Sequence, residues 1–269
     1  MAWVESSSPS FRARHSAADA NDAAAVLRLL ERTRAKLELL FPRGAPGGLT
    51  LVLHEHPVAL ALAEPALVAA WVLTHPAGRR YVVGWAGSHE LHALAPRVLR
   101  TRATSVPGSR ELLELAPAAL YVRTVIAASN PTVPPPHTPR RLRRFFSRAW
   151  IVEGAAQWFA DQTAHARPAI ARRLREGPRP TFPPGLRDAS LLGGTLIDLL
   201  VREEGIGAAI KLACERAAPE RDAGLVRAFG GRPAARTEAA WRAHLERLTS
   251  GTVHRRPGAD SDPDPYVRS

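Results

Sequence analysis

Cysteine, lysine and methionine are almost missing from this chain of 269 residues. Cys214 is the only cysteine, which excludes an intramolecular disulfide framework and any multi-cysteine zinc module. Only Lys36 and Lys211 are lysines; the rest of the 37 Lys+Arg residues are arginine. No run reaches the ~18 uninterrupted apolar residues of a membrane span. The nearest, residues 58–73, is broken by Glu64 and Pro65. Met1 to Arg14 lacks the apolar core of a secretion signal, so a cytoplasmic protein with no membrane partner is expected. A Gly-x-Ser-x-Gly elbow and a Walker loop are also missing. Gly193-Gly194 follows no strand, so it signals close packing or a turn rather than a dinucleotide fingerprint.

What is present is positive charge: +12 net, with a pI near 11.2. Such an excess raises the question of nucleic acid, because cationic side chains neutralise phosphates and release counterions. An arginine skew beside many alanines is, however, what a GC-rich coding sequence produces. Arg140-Arg141-Leu-Arg143-Arg144-Phe145-Phe146 mixes arginine with aromatics as single-strand binders do. It reads equally as a helix start with the phenylalanines in the core and the arginines in water.

Periodicity gives an order of elements. Residues 1–15 are Ser-, Pro- and Arg-rich and are expected to be mobile. Val26, Leu29, Leu30, Leu37 and Leu40 share a helical face over Ala17–Phe41, which Pro42 and Gly44 end. Leu49–Leu53 reads as a buried strand, and Pro57–Trp71 as helical with a break at Pro65. Tyr81–Trp85 and Glu90–Ala95 read as strands joined through Gly87-Ser88, the second an edge strand ended by Pro96. Glu111–Ala128 is apolar at helical spacing, with Ser109 as its N-cap. The stretch 130–139 (NPTVPPPHTP) predicts an extended loop. After it come a helix over Ala149–Thr163, a Pro-rich loop over 178–187, and helices over Leu191–Val201, Ala208–Ala217 and Glu238–Leu248. The tail from Ser250 is polar and without hydrophobic spacing, and disorder is expected over 250–269. One domain over 16–249, helix then strands then helices, predicts an α+β class.

The most informative segment is Trp150-Ile-Val-Glu153-Gly-Ala-Ala-Gln157-Trp158-Phe159. Alone it is an amphipathic helix with Glu153, Gln157 and Asp161 on one polar line. Its Trp-x-x-Glu-Gly-x-Ala-x-aromatic pattern resembles the second active-site helix of the gluzincin (peptidase-MA-like) zinc metallopeptidases. The resemblance spans residues 20–248 through the order of elements. It implies a zincin-like α+β fold: a small mixed sheet with an edge strand (Glu90–Ala95) over a cleft, then a mainly helical part. It implies Glu153 as the place of the third zinc ligand. Laying His-Glu-x-x-His on the preceding helix puts it on Leu113-Glu114-Leu115-Ala116-Pro117. Glu114 keeps the general-base position and both histidines are lost, to Leu113 and Pro117.

Two imidazoles at i and i+4 are needed because one helical turn sets both on one face, ~2.0–2.1 Å from zinc. Leucine and proline donate nothing, and Pro117 also interrupts the helix. The expectation is a pseudoenzyme with no metal: zinc lost, no active catalytic residue, and Leu113, Glu114, Pro117 and Glu153 as vestigial cleft positions. His92, Gln157 and Asp161 are expected to line the cleft, and the expected partner is an unidentified peptide or protein held without cleavage.

Other histidines do not rebuild the site. His89 and His92 lie three apart on a strand and face opposite sides. His54 and His56 share a face but precede Pro57 at an expected surface turn. His137 and His165 have no neighbour at ligand spacing. Two alternatives stand beside the pseudoenzyme: a hydrolase with a noncanonical Glu114/Glu153 carboxylate pair, and an arginine-rich nucleic-acid-associated protein. Cys214 reads as a small buried hydrophobe.

Overall fold

The computed structural model describes residues 3–135, 137–215 and 223–250. It is a mixed α+β structure in which a small sheet is followed by helices. The sheet begins with β1 (Trp3–Ser7) and β2 (Phe11–Ser16), which pair antiparallel. Helix α1 (Ala20–Glu38) follows, then β3 (Leu49–His54), which pairs parallel with β2. Three short helices come next: α2 (Pro57–Ala63), α3 (Ala66–Leu73) and α4 (Pro76–Arg79). Then β4 (Gly84–Ala86) and β5 (Glu90–Leu94) complete a five-stranded sheet of order β1-β2-β3-β5-β4.

Period-2 alternation sets the two faces of the sheet. Phe11, Ala13, Leu49, Leu51, Leu53, Leu91 and Ala93 point into the main core, against α1 and α7 (Ala116–Ser129). On the far face Leu60 of α2, Leu67 of α3 and Leu94 build a second cluster with Val83, Leu99 and Leu113. Between β5 and α7 lie α5 (Pro96–Arg102) and α6 (Ser109–Glu114). Leu115 separates α6 from α7, with Pro117 in the first turn of α7, where the missing N–H is not needed. The helical half continues with α8 (Pro139–Phe159), α9 (Gln162–His165), α10 (Arg167–Arg175), α11 (Leu186–Glu204), α12 (Ile206–Cys214), α13 (Ala223–Ala228) and α14 (Ala234–Ser250).

Two expectations about the sheet are corrected. The N-terminal segment, expected to be mobile, is the β1–β2 hairpin: Phe11 and Ala13 are buried and Arg12 and Arg14 face water. Its Ser-Pro-Ser turn is anchored by Glu31 of α1, which accepts from Ser8 Oγ and Ser10 N, each at 2.7 Å. No local pattern announces such an anchor. The edge strands are β1 and β4, not Glu90–Ala95, because β5 is inserted between β3 and β4. Pro96 does not close an edge; it opens α5. Residues 251–269, expected to be disordered, lie outside the described residues, as does the end of the helix expected over Ala208–Ala217.

The helical half is built on the crossing of α8 and α11. A Cβ on Gly154 would lie 2.5 Å from Gly193 C and O, and one on Gly193 would lie 2.8 Å from Trp150 O. The two backbones therefore touch. Gly193-Gly194 is a close-packing signal, as its sequence context suggested, and Gly194 N donates to Gln157 Oε1 at 3.2 Å. Buried Arg173 of α10 grips Asp188 of α11 through two hydrogen bonds of 2.6 and 2.8 Å. On the outer side of α11, burial pushes the Asp198 carboxyl up. Hydrogen bonds from His244, Arg202 and Trp158 outweigh it and hold the pKa at about 2.

Gly154→Ala is expected to lower stability in urea titrations by about 1–3 kcal/mol or more, because the methyl has no room. Gly207→Ala, whose Cβ meets nothing within 4 Å, is expected to leave stability unchanged or raise it by about 0.5–1 kcal/mol. Equal effects at both positions would contradict the packing.

Candidate functional site

Glu153 belongs to the buried second half of α8, beyond a break in helical geometry at Arg148 (φ −136°, ψ 23°). Its neighbours Val152, Ala155 and Ala156 are core residues. A carboxylate in that setting needs a partner to offset desolvation. Arg123 of α7 supplies it, donating from Nη2 to Glu153 Oε2. Arg123 is the one charged residue in 116–128. An arginine alone on an apolar helix requires an acid, and that signal is present in the sequence.

The pair faces a cavity of about 200 Å³. Its walls are α3 on one side (Ala66, Ala69, Leu73), the β4 edge on another, and Leu142, Phe145 and Phe146 of α8 on the third. The lining is apolar apart from Arg123, Glu153, His137, Ser190 and Thr74. His137 stacks on Trp85 of β4 with ring centroids 4.3 Å apart and planes at 28°. Burial, and secondarily the nearby Arg123 charge, lowers the His137 pKa to about 4, so the ring is neutral at neutral pH. Arg123 Nε and Ser190 Oγ are buried without a hydrogen-bond partner among the described residues. A mainly apolar cavity with a few convergent polar groups is the usual form of a ligand site.

The backbone of β4 contributes as well. Leu94 N bonds Val83 O at 3.0 Å, and Gly87 N bonds Glu90 O at 2.8 Å. In an antiparallel ladder bonded residues alternate. The N–H and C=O groups of Gly84 and Ala86 therefore point away from β5, and both residues line the cavity.

The residues singled out from sequence are distributed as follows. Leu113 is fully buried in the far-face cluster. Glu114 is half-buried, accepts from Arg110 Nε at 2.7 Å, and lines a different groove with Pro117, Asp22 and Arg100. Glu114 and Glu153 thus face different cavities, and the paired-carboxylate arrangement required for a Glu114/Glu153 hydrolase is not brought together. Gln157 joins Glu153 beside a small internal space. Asp161 leaves the polar line because α8 ends at Phe159; it adopts φ +61° and pairs with Lys36 at 3.0 Å on the surface.

His92 also lies apart from the Arg123–Glu153 cavity. Its Nδ1 is 3.1 Å from Nε2 of His54, and its Nε2 is within 3.4 Å of Glu64 and 3.3 Å of Glu90. His54, expected at a surface turn, is buried at the end of β3, where burial and then His92 lower its pKa to about 4. Phe146, expected in the core, is half exposed.

The donors around Glu153 do not fit zinc. Its carboxylate is held by a guanidinium, which has no lone pair to give. Among the described residues no three His, Cys, Asp or Glu side chains are grouped so as to hold a metal ion. No family model matches this chain, and no match was found among curated proteins or solved structures.

Because the ion pair is mostly buried, removing one partner strands the other. Arg123→Met is expected to cost roughly 2–3 kcal/mol in urea unfolding. Arg123→Met with Glu153→Leu is expected to cost clearly less than the sum of the two single changes. Strict additivity would mean that the pair does not couple.

Proposed function

We propose that this chain is a non-catalytic relative of the gluzincin peptidases that holds an extended peptide along β4 without cutting it. The observation that carries the reading is the Arg123–Glu153 ion pair beneath an edge strand. Glu153 keeps the place of the family's third zinc ligand, and the residue across from it on the neighbouring helix is a cation. This pairing favours a register six residues later than the one read from sequence. Arg123 then takes the place of the second histidine and Ala119, one turn earlier, that of the first. Leu120 takes the place of the general base; a Cβ on Gly84 of β4 would lie 2.5 Å from Leu120 Cδ1, so that side chain lies directly against the edge strand. In either register both imidazoles are replaced, and in this one the general base is replaced as well.

The chemistry left to the site is recognition. The outward N–H and C=O groups of Gly84 and Ala86 can continue an antiparallel ladder with an added strand. One side chain of that strand can enter the apolar cavity between Leu73 and Phe146. Neutral His137 on Trp85 leaves the cavity wall without added charge.

The expected result is calorimetric binding of extended peptides bearing a large apolar side chain, with mass spectrometry showing them intact after incubation. Ala86→Pro removes one outward N–H and leaves the bonds to β5. It is expected to weaken binding about fivefold to tenfold. Cleaved peptide, or binding indifferent to Ala86→Pro, would overturn the proposal.

A further inference from the structure

Residues 57–73 (PVALALAEPALVAAWVL) form the most apolar stretch of the chain and carry one charged group, Glu64. In the fold they become α2 and α3, and much of their apolar surface is left uncovered. Val58 is 69% exposed, Leu62 77% and Val72 70%. Helix α3 uses Leu67 and Trp71 to reach the far-face cluster, while Ala69 and Leu73 face the cavity. Val68 and Val72, one turn apart, point to neither. The single charge is withdrawn from this surface: Glu64 Oε1 lies 3.4 Å from His92 Nε2, and burial raises the Glu64 pKa. A helix apolar on all sides ordinarily belongs in a core or a bilayer, yet this one is outside the core.

The stretch is too short to span. No helix among the described residues is long and apolar enough to cross a membrane, and a crossing needs ~20 residues where α2 and α3 are each a third of that or slightly more. Lying in the interface is the remaining way to bury such a helix in lipid. The cation that interfacial binding requires stands across the cavity mouth. Phe146, 48% exposed, faces α3 across the opening, and Arg143 lies one turn before it on α8 with Arg140 one turn earlier. Both arginines are exposed, and neither forms a salt bridge among the described residues.

We propose that α2, α3 and the Phe146 rim form a membrane-docking surface. Val58, Leu62, Val68 and Val72 enter the headgroup–acyl boundary of an anionic bilayer, and Arg140 and Arg143 lie against its phosphates. This goes beyond the peptide reading and does not depend on it. It also departs from the expectation of no membrane partner, which rested on the absence of a spanning run. Charge complementarity selects lipid: the chain is +12 overall, and each arginine near an anionic leaflet adds to the attraction.

The test is co-sedimentation of the full chain with vesicles of phosphatidylcholine alone and of equimolar phosphatidylcholine and phosphatidylglycerol. The protein is expected to pellet with the anionic vesicles and to be released as salt rises. Val68→Asp with Val72→Asp, both at exposed positions, is expected to weaken binding at least about tenfold while circular dichroism remains that of the parent. Arg140→Glu with Arg143→Glu is expected to abolish the preference for anionic vesicles. Failure to pellet with either vesicle type, or binding that ignores either pair of substitutions, overturns the proposal. In the first case the surface is left to a protein partner.

Discussion

The backbone contact between Gly154 and Gly193 determines where the chemistry-bearing groups of this protein lie. It fixes the depth of α8 against α11, so Glu153, the residue before Gly154, cannot withdraw into solvent. A buried carboxylate so placed must be answered by a cation or a proton. Arg123 answers it from α7, whose position is set by the packing of Tyr121 on Phe11 (ring centroids 5.0 Å apart) and by the Tyr121 hydroxyl on Pro46 O at 2.8 Å. Helix crossing, carboxylate and guanidinium thus form one chain of constraint from core to cavity.

That constraint limits what the Glu153 carboxylate can do. A free carboxylate in the cavity could accept a proton or bind a cation. One held by arginine already has its oxygen engaged by a donor. The surrounding walls are apolar, and the His137 ring is kept neutral by burial, so the site has few groups able to move protons at neutral pH. It has a strand edge whose amides point away from β5 and a volume suited to an apolar side chain.

Much of the architecture was legible along the chain. Helical spacing marked α1, α8, α11 and α14, Pro65 marked the break between α2 and α3, and Pro117 marked the restart at α7. The glycine pair on α11 signalled close packing or a turn, and the crossing with α8 is the first of these. These signals are local, and sterics enforce them. What escaped is set by contacts distant in sequence. The β1–β2 hairpin is stabilised by Glu31, more than twenty positions away. The order β3-β5-β4 exchanges edge and interior strands in a way that no alternation pattern encodes.

The site was half legible for the same reason. Glu153 and its helix stood out, but the facing residue was expected within Leu113–Pro117, where Glu114 stands. The break before α7 turns that glutamate to solvent. A criterion based on cost would have found Arg123, because a lone guanidinium in an apolar helix is harder to leave unpaired than Glu114 is to leave in water. The exposed apolar face of α2 and α3 was visible as composition, and only the fold shows that nothing among the described residues covers it.

The central claim is that arginine, not metal, holds Glu153. Zinc content measured by mass spectrometry on the purified chain, after equilibration with micromolar zinc and gel filtration, tests this most directly. The account requires far less than one zinc per chain, and the same for a Glu153→Gln variant. One tightly held zinc per chain, lost on Glu153→Gln, would contradict it.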